Sequence, residues 1–181
     1  MRQIDRRAQK EFGIPELVLM EHAGKAAAAA ARRLRARAGK SVGEVVVLMH
    51  GAARVNLEIL KRLRVPIRKA ASRASWRSWS RGNRRVGVIL DAMLGTGVTG
   101  RVREPIAAAI RWVNRQRCPV ISVDVPSGLC SDTGRPCGSA VRATATITCG
   151  LPKIGLLRGQ GRRLSGHVAV ADISLPRVLL R

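Results

Sequence analysis

Two aspartates, one lysine and a run of glycines are the residues of this 181-residue chain whose types and spacing could do chemistry. Asp91 closes an apolar run, Val86 to Leu90, and opens the loop Asp91-Ala-Met-Leu-Gly-Thr-Gly-Val-Thr-Gly-Arg101. Gly95, Gly97 and Gly100 allow positive φ and a close backbone approach to an anion, although a plain flexible turn has the same composition. Asp124 closes a second apolar run, Val120 to Val123, and leads into Val-Pro-Ser-Gly128. A carboxylate carried to a sheet rim by a buried strand suits proton transfer, but it also suits a helix cap or a pair with a nearby Arg. Lys153 is the single amine of a third loop, Gly150 to Gly155. Ser127 is a nucleophile by type, yet no His occupies a comparable loop: His22 falls in a helical stretch and His167 precedes a strand. A Ser-His-Asp triad is therefore not expected. His50, at the end of an apolar run, reads as a turn residue.

Those loops need elements to position them. A short polar helix to about residue 12 ends at Gly13, and Pro15 restarts a second helix with apolar residues at Leu17, Met20, Ala23, Ala27, Ala31 and Leu34. Val45 to Met49 reads as a buried parallel strand between glycines. Residues 52–64 return to helical spacing, and 65–67 form a candidate short strand. Residues 70–85 mix Ser, Arg and two Trp without a period, which predicts a loop or poorly ordered segment in which Trp76 and Trp79 cover a core edge. Beyond it a strand–loop–helix rhythm resumes: Val86 to Leu90, a helix over 105–116, then strands at Val120 to Val123, Ala143 to Thr148 and Val168 to Ile173. The expectation is an α/β fold, a Rossmann-like open and mostly parallel sheet with helices on both faces, in one domain spanning 1–181. Ligands of such sheets bind outside the carboxyl ends of the strands, which places all three loops on one rim.

Composition bounds the function. Apolar residues make up 46% of the chain and aromatics only 2%, so the core is aliphatic and no aromatic base-stacking platform is available. Lys and Arg number 34 against 11 acids, a net charge of +23, and 28 of the 34 are Arg. That suits a polyanion, but also a solvated basic surface. Cys118, Cys130, Cys137 and Cys149 lack zinc spacing and read as free thiols of a cytoplasmic protein. No apolar run approaches a membrane span, and the N-terminus lacks the apolar stretch of a signal peptide.

At the candidate loops the chain resembles the YjeF N-terminal domain family, the NAD(P)H-hydrate epimerases. The motifs are an opening M-x-x-x-D with GIPELVLMEHAG, then NLEILKRL, DAMLGTGVTGRVREP, VDVPSGLCSDTG, TITCGLPKIGLL and HVAVADISLP, in order along most of the chain. The resemblance implies a Rossmann-like fold and interconversion of the R and S forms of hydrated NADH or NADPH, which serves a stereospecific dehydratase. It implies that Asp91 and Ser127 help to hold a potassium ion, and that Gly95, Thr96, Gly97, Val98, Thr99, Gly100 and Arg101 line the nucleotide site. Asp124 would then contact the substrate as the acid–base residue, with Lys153 tuning its proton affinity or orienting the nucleotide. A homodimer is a further expectation.

The chain departs from the family in one place. Members follow the first strand with a G-x-G-N-N-G-G-D-G loop, a helix and another strand, whereas here VVVLMHGAARVNLEIL runs straight through. His22 also stands where the family has Asn. The expectation is an epimerase with an incomplete cation and phosphate pocket. The alternative is a non-catalytic binding protein whose Arg-rich segment, Arg54 to Arg85, takes nucleic acid or another polyanion.

Overall fold

In the computed structural model of the chain, the structure describes residues 2–37, 43–49, 72–81 and 85–180. The expected helix over 52–64, the strand at 65–67, His50 and the shortened path after Met49 lie outside the described residues.

Two helices come first. α1 (Arg2–Phe12) carries an Arg7–Glu11 pair one turn apart, with Arg7 Nε 2.7 Å from Glu11 Oε1. It ends at Gly13, whose φ of 63° lets Gly13 N–H donate to Gln9 O and Ile14 N–H to Ala8 O, closing the last carbonyls. α2 (Glu16–Arg37) follows Pro15. Its buried stripe runs through Leu19, Ala27 and Ala31, with Ala23, Ala30 and Leu34 beside them, while Leu17 is exposed. The expected stripe starting at Leu17 is thus corrected to one starting at Leu19, the residue that meets Ala171 and Ile173.

Among the described residues five strands form one parallel sheet in sequence order: β1 (Glu44–Met49), β2 (Val86–Ala92), β3 (Val120–Val123), β4 (Ala145–Cys149) and β5 (His167–Ala171). The crossover segments hold α3 (Arg73–Ser80), α4 (Ile106–Val113), α5 (Ile154–Leu157) and α6 (Gly159–Leu164), and a 3-10 turn (Arg177–Leu180) follows β5. Strands stepping in one direction through right-handed crossovers put every crossover helix on the same face. Trp76 of α3 and Ile110 and Val113 of α4 accordingly share a cluster with Val46, Ile89 and Val120, and Leu156 and Leu164 of α5 and α6 sit with Val125, Leu129 and Val168. The opposite face falls to α2, about 33 Å long, which lies across β2 to β5 and packs Ala27 and Ala31 on Val88, Leu90 and Ile121.

Among the described residues β1 is the edge strand, and α2 does not cover its second face. Val46 and Leu48 are buried against the crossover helices, whereas Val45, Val47 and Met49 are 38%, 48% and 38% exposed. The apolar run predicts a strand buried on both faces; the structure buries only one, because α2 stops short of β1.

The Arg/Ser/Trp segment is also corrected. Residues 73–80 of the expected 70–85 loop are helical, started by a capping box in which Ser72 Oγ accepts from Ser75 N–H and Ser75 Oγ accepts from Ser72 N–H. Trp76, Trp79 and Trp112 form a cluster with ring centroids 5.1 to 5.7 Å apart, Trp76 meeting Trp112 edge to face at 86°. Trp76 is buried and lies over a core edge, as its spacing from Trp79 suggests.

Candidate functional site

β2 and β3 deliver their carboxylates to one rim, and the parallel register pairs Asp91 with Ser122. Asp91 is fully buried on the crossover-helix side of the sheet, with no cationic partner among the described residues. Its Oδ2 accepts from Ser122 Oγ–H at 2.8 Å and Ser127 N–H at 2.9 Å. Its Oδ1 accepts from Ser127 Oγ–H at 2.5 Å and Met93 N–H at 3.4 Å. Burial pushes the Asp91 carboxyl above its ordinary value, outweighing the lowering effect of these donors. Leu94 N–H donates to Ser127 Oγ at 2.8 Å, which draws the start of the glycine loop against the same hydroxyl.

Asp124 sits at the end of β3 with a φ of 69°, left-handed for a residue with a side chain. A three-residue turn holds it there, closed by Val125 N–H to Val123 O at 2.9 Å, while Asp124 N–H donates to Ile147 O. Such strain persists where surroundings over-determine it, and it clusters at functional sites. The turn aims Oδ1 at Lys153 Nζ, which bonds it directly, and at Cys149 N–H at 3.2 Å. Lys153 is nearly enclosed and also donates to Cys149 O at 2.8 Å. No hydrogen bond from the described residues reaches Asp124 Oδ2. That oxygen faces Gly95, where an added Cβ would lie 3.9 Å away. One carboxylate oxygen is anchored by an amine and an amide, and the other looks out beneath the glycine loop.

Close backbone packing fixes the third loop. Gly155 N–H donates to Ser131 O at 2.7 Å, and a Cβ at Gly155 would lie 2.4 Å from Cys130 O. Only glycine brings the Lys153 loop this near to the 129–136 turn. The turn in its place depends on Gly128, with φ 88° and Ser139 O at 2.0 Å from an added Cβ.

The rim therefore joins Asp91 to Ser127 and Asp124 to Lys153, with Gly95 over Asp124. Among the described residues no side-chain hydrogen bond ties Thr96, Gly97, Val98, Thr99 or Gly100 to either pair, and all five are exposed or half-buried. Arg101 lies over Gly138, near enough that an added Cβ there would meet its Cγ at 2.8 Å. His22 bonds Ser174 Oγ at 2.9 Å and has no hydrogen bond to Asp91, Asp124, Ser127 or Lys153. Sequence reasoning missed Ser122 and the backbone of Cys149. The signal for Ser122 was present: it is the one polar residue in the buried strand Val-Ile-Ser-Val, at the position paired with Asp91.

An open, all-parallel α/β sheet with a carboxylate–amine pair beneath a glycine loop at its carboxyl rim is the class of protein that the geometry defines. A profile of the YjeF-related protein N-terminus matches residues 17–155, and the chain belongs to that family. A bifunctional NAD(P)H-hydrate repair enzyme Nnr of Moorella thermoacetica is 32% identical over 99% of this chain and 40% of its own length. An NAD(P)H-hydrate epimerase of Weissella koreensis is 32% identical over 97% of this chain and 89% of its own. The Salinibacter ruber Nnr is 50% identical over 50% of this chain, which spans only 17% of that enzyme. A yeast crystal structure, ynu0 (YNL200c), superposes with a TM-score of 0.66 over 93% of this chain and 84% of its own, at 18% identity, which speaks for the fold. The Moorella comparison extends over 213 residues, more than this chain possesses, so it opens gaps on this side.

Proposed function

We propose that this chain epimerises hydrated NADH or NADPH at the rim, with Asp124 and Lys153 as the proton-handling pair. The observation that carries the reading is Asp124 itself: Oδ1 held by Lys153, Oδ2 open under the loop, on a family fold whose relatives bear that activity in their names. Inverting a carbon that bears a hydroxyl beside a ring nitrogen breaks one C–O bond and remakes it on the other face. The hydroxyl takes a proton from the Asp124–Lys153 pair and leaves as water, while the ring nitrogen supplies the electron pair that stabilises the cation. Water then adds from the opposite face and returns its proton to the pair, so atoms and charge balance. Gly95 to Arg101 would line the nucleotide, and the S form would pass to a stereospecific dehydratase.

Asp91 and Ser127 would hold a potassium ion. Asp91 Oδ1, Ser127 Oγ and Leu94 O converge, the last two 3.3 Å apart, and hard oxygen donors around a fully buried carboxylate suit such a cation. The ion would supply positive charge beside Asp91, and no proton step runs through it. Four cysteines without disulfides suit a reducing cytoplasm, and among the described residues no helix is long and apolar enough to cross a membrane.

The test is to incubate the purified chain with R-form hydrated NADH and follow the R-to-S ratio by chromatography. Asp124→Asn should slow interconversion by about two orders of magnitude, the usual share of a positioned acid or base, while still unfolding cooperatively, at a lower temperature because the enclosed Lys153 loses its counter-charge. Asp132→Asn, in the exposed turn after Cys130, should leave the rate nearly as it was. A folded chain that leaves the ratio at its uncatalysed rate sinks the reading.

A further inference from the structure

Charge is not spread evenly between the two ends of the sheet. The parallel register sets Glu44, Val86, Val120, Ala145 and His167 at the end opposite the candidate site. Arg85 precedes β2 there, its carbonyl bonded by Glu44 N–H. Arg115 and Arg117 lie between α4 and β3, and Arg142 precedes β4. Asn114 ties these loops together, accepting from Arg142 N–H at 2.8 Å and donating to Ala140 O at 2.9 Å. Arg163 ends α6, where Leu164 O accepts from Ala143 N–H at 2.8 Å. Arg32 reaches the same end, because α2 starts near Ala171 and Ile173 and finishes against Val88. All six side chains are exposed.

The acids go the other way. Asp91 is the next-to-last residue of β2, Asp124 and Asp172 directly follow β3 and β5 at the far rim, Glu104 precedes α4 there, and Glu21 is in the first turns of α2. Glu44 is the one acid at the arginine end among the described residues.

We propose that this arginine end is a docking surface for the sugar–phosphate backbone of a nucleic acid, separate from the rim and independent of what the rim catalyses. Five strands span about 19 Å at this end, and arginines come from the loops and from helices on both faces, enough to follow several successive phosphates. Guanidinium forks pair phosphate oxygens in bidentate fashion. The surface has no exposed aromatic ring for a base to stack on, so the contacts are to the backbone and sequence-independent. A lipid surface fits less well: of the large exposed apolar side chains among the described residues, only Val45 adjoins this end.

The experiment is fluorescence anisotropy of the full chain with a labelled 20-nucleotide single-stranded RNA of mixed sequence, between 50 and 200 mM KCl. With about five phosphates engaged, affinity should fall roughly a hundredfold over that range. Replacing Arg115, Arg117 and Arg142 together by Ser should weaken binding at least tenfold and lower the salt slope by about 2. Replacing Arg32 and Arg163 should act in the same direction. Arg135, Arg158 and Arg177 replaced by Ser remove the same charge elsewhere and should cost no more than about twofold. Melting curves verify that each variant is folded. Equal losses in both triple variants would assign binding to net charge and overturn the surface. So would absence of binding at 50 mM, or phosphatidylglycerol vesicles that bind through the same three arginines while RNA does not.

Discussion

A buried carboxylate that meets only neutral donors carries a pH dependence of definite sign. Burial raises the Asp91 carboxyl, so the folded chain binds its proton more tightly than the unfolded chain does. Its contribution is most favourable below the ordinary range near pH 4 and is lost as pH rises through the raised value. In potassium-free buffer, the melting temperature of Asp91→Asn relative to the parent should therefore improve from pH 4 to pH 8; a difference that stays level across that range would contradict this. The thiols differ as well. A hydrogen bond from the Thr133 side chain leads the effects that lower Cys130, whereas burial raises Cys118 and Cys137. Iodoacetamide at neutral pH should label Cys130 before those two, as peptide mapping would show. Asp91 and Asp124 were legible because each closes an apolar run, and Lys153 because it is the single amine of its loop. Left-handed backbone at Asp124 was not, because it depends on contacts from β4 and the Lys153 loop.

Among the elements, α3 shows where local pattern stops being informative. Ser-Arg-Ala-Ser-Trp-Arg-Ser-Trp has no long apolar period, and its helix is held by a cap at Ser72 and by Trp112 arriving from α4. Trp76→Ala should cost about 3–5 kcal/mol, the range for deleting a buried large aromatic, out of a total of order 5–15. Arg77→Ala, exposed on the same helix, should cost well under 1 kcal/mol. Urea denaturation of both variants checks this, and similar midpoints would show that the tryptophan cluster contributes little. The strands, read from short apolar runs, were easier: β3 keeps its expected limits, whereas β2 starts at the expected Val86 but runs past Leu90 to Ala92, because Asp91 and Ala92 pair with Leu48 and Met49 of β1. β1 has the same composition but not the same neighbours, and the reach of α2 is a property of the assembled sheet.

At the scale of the molecule, sequential strand order matters as much as any residue. Among the described residues α2 covers β2 to β5, and three apolar side chains of β1, Val45, Val47 and Met49, stand exposed on a body of net charge +23. Like charge holds copies apart at distances that shrink with ionic strength, from about 10 Å at 0.1 M salt to about 3 Å at 1 M. The protein should therefore behave as a charge-stabilised colloid. Light scattering should rise as sodium chloride is raised towards 1 M and fall again on dilution, and Val47→Lys should suppress the rise. Scattering that is highest at low salt, or is unchanged by Val47→Lys, would show that the edge is not sticky. On this account the excess of arginine has a solution role besides any partner it binds: it sets the salt concentration below which an incompletely covered sheet remains dispersed.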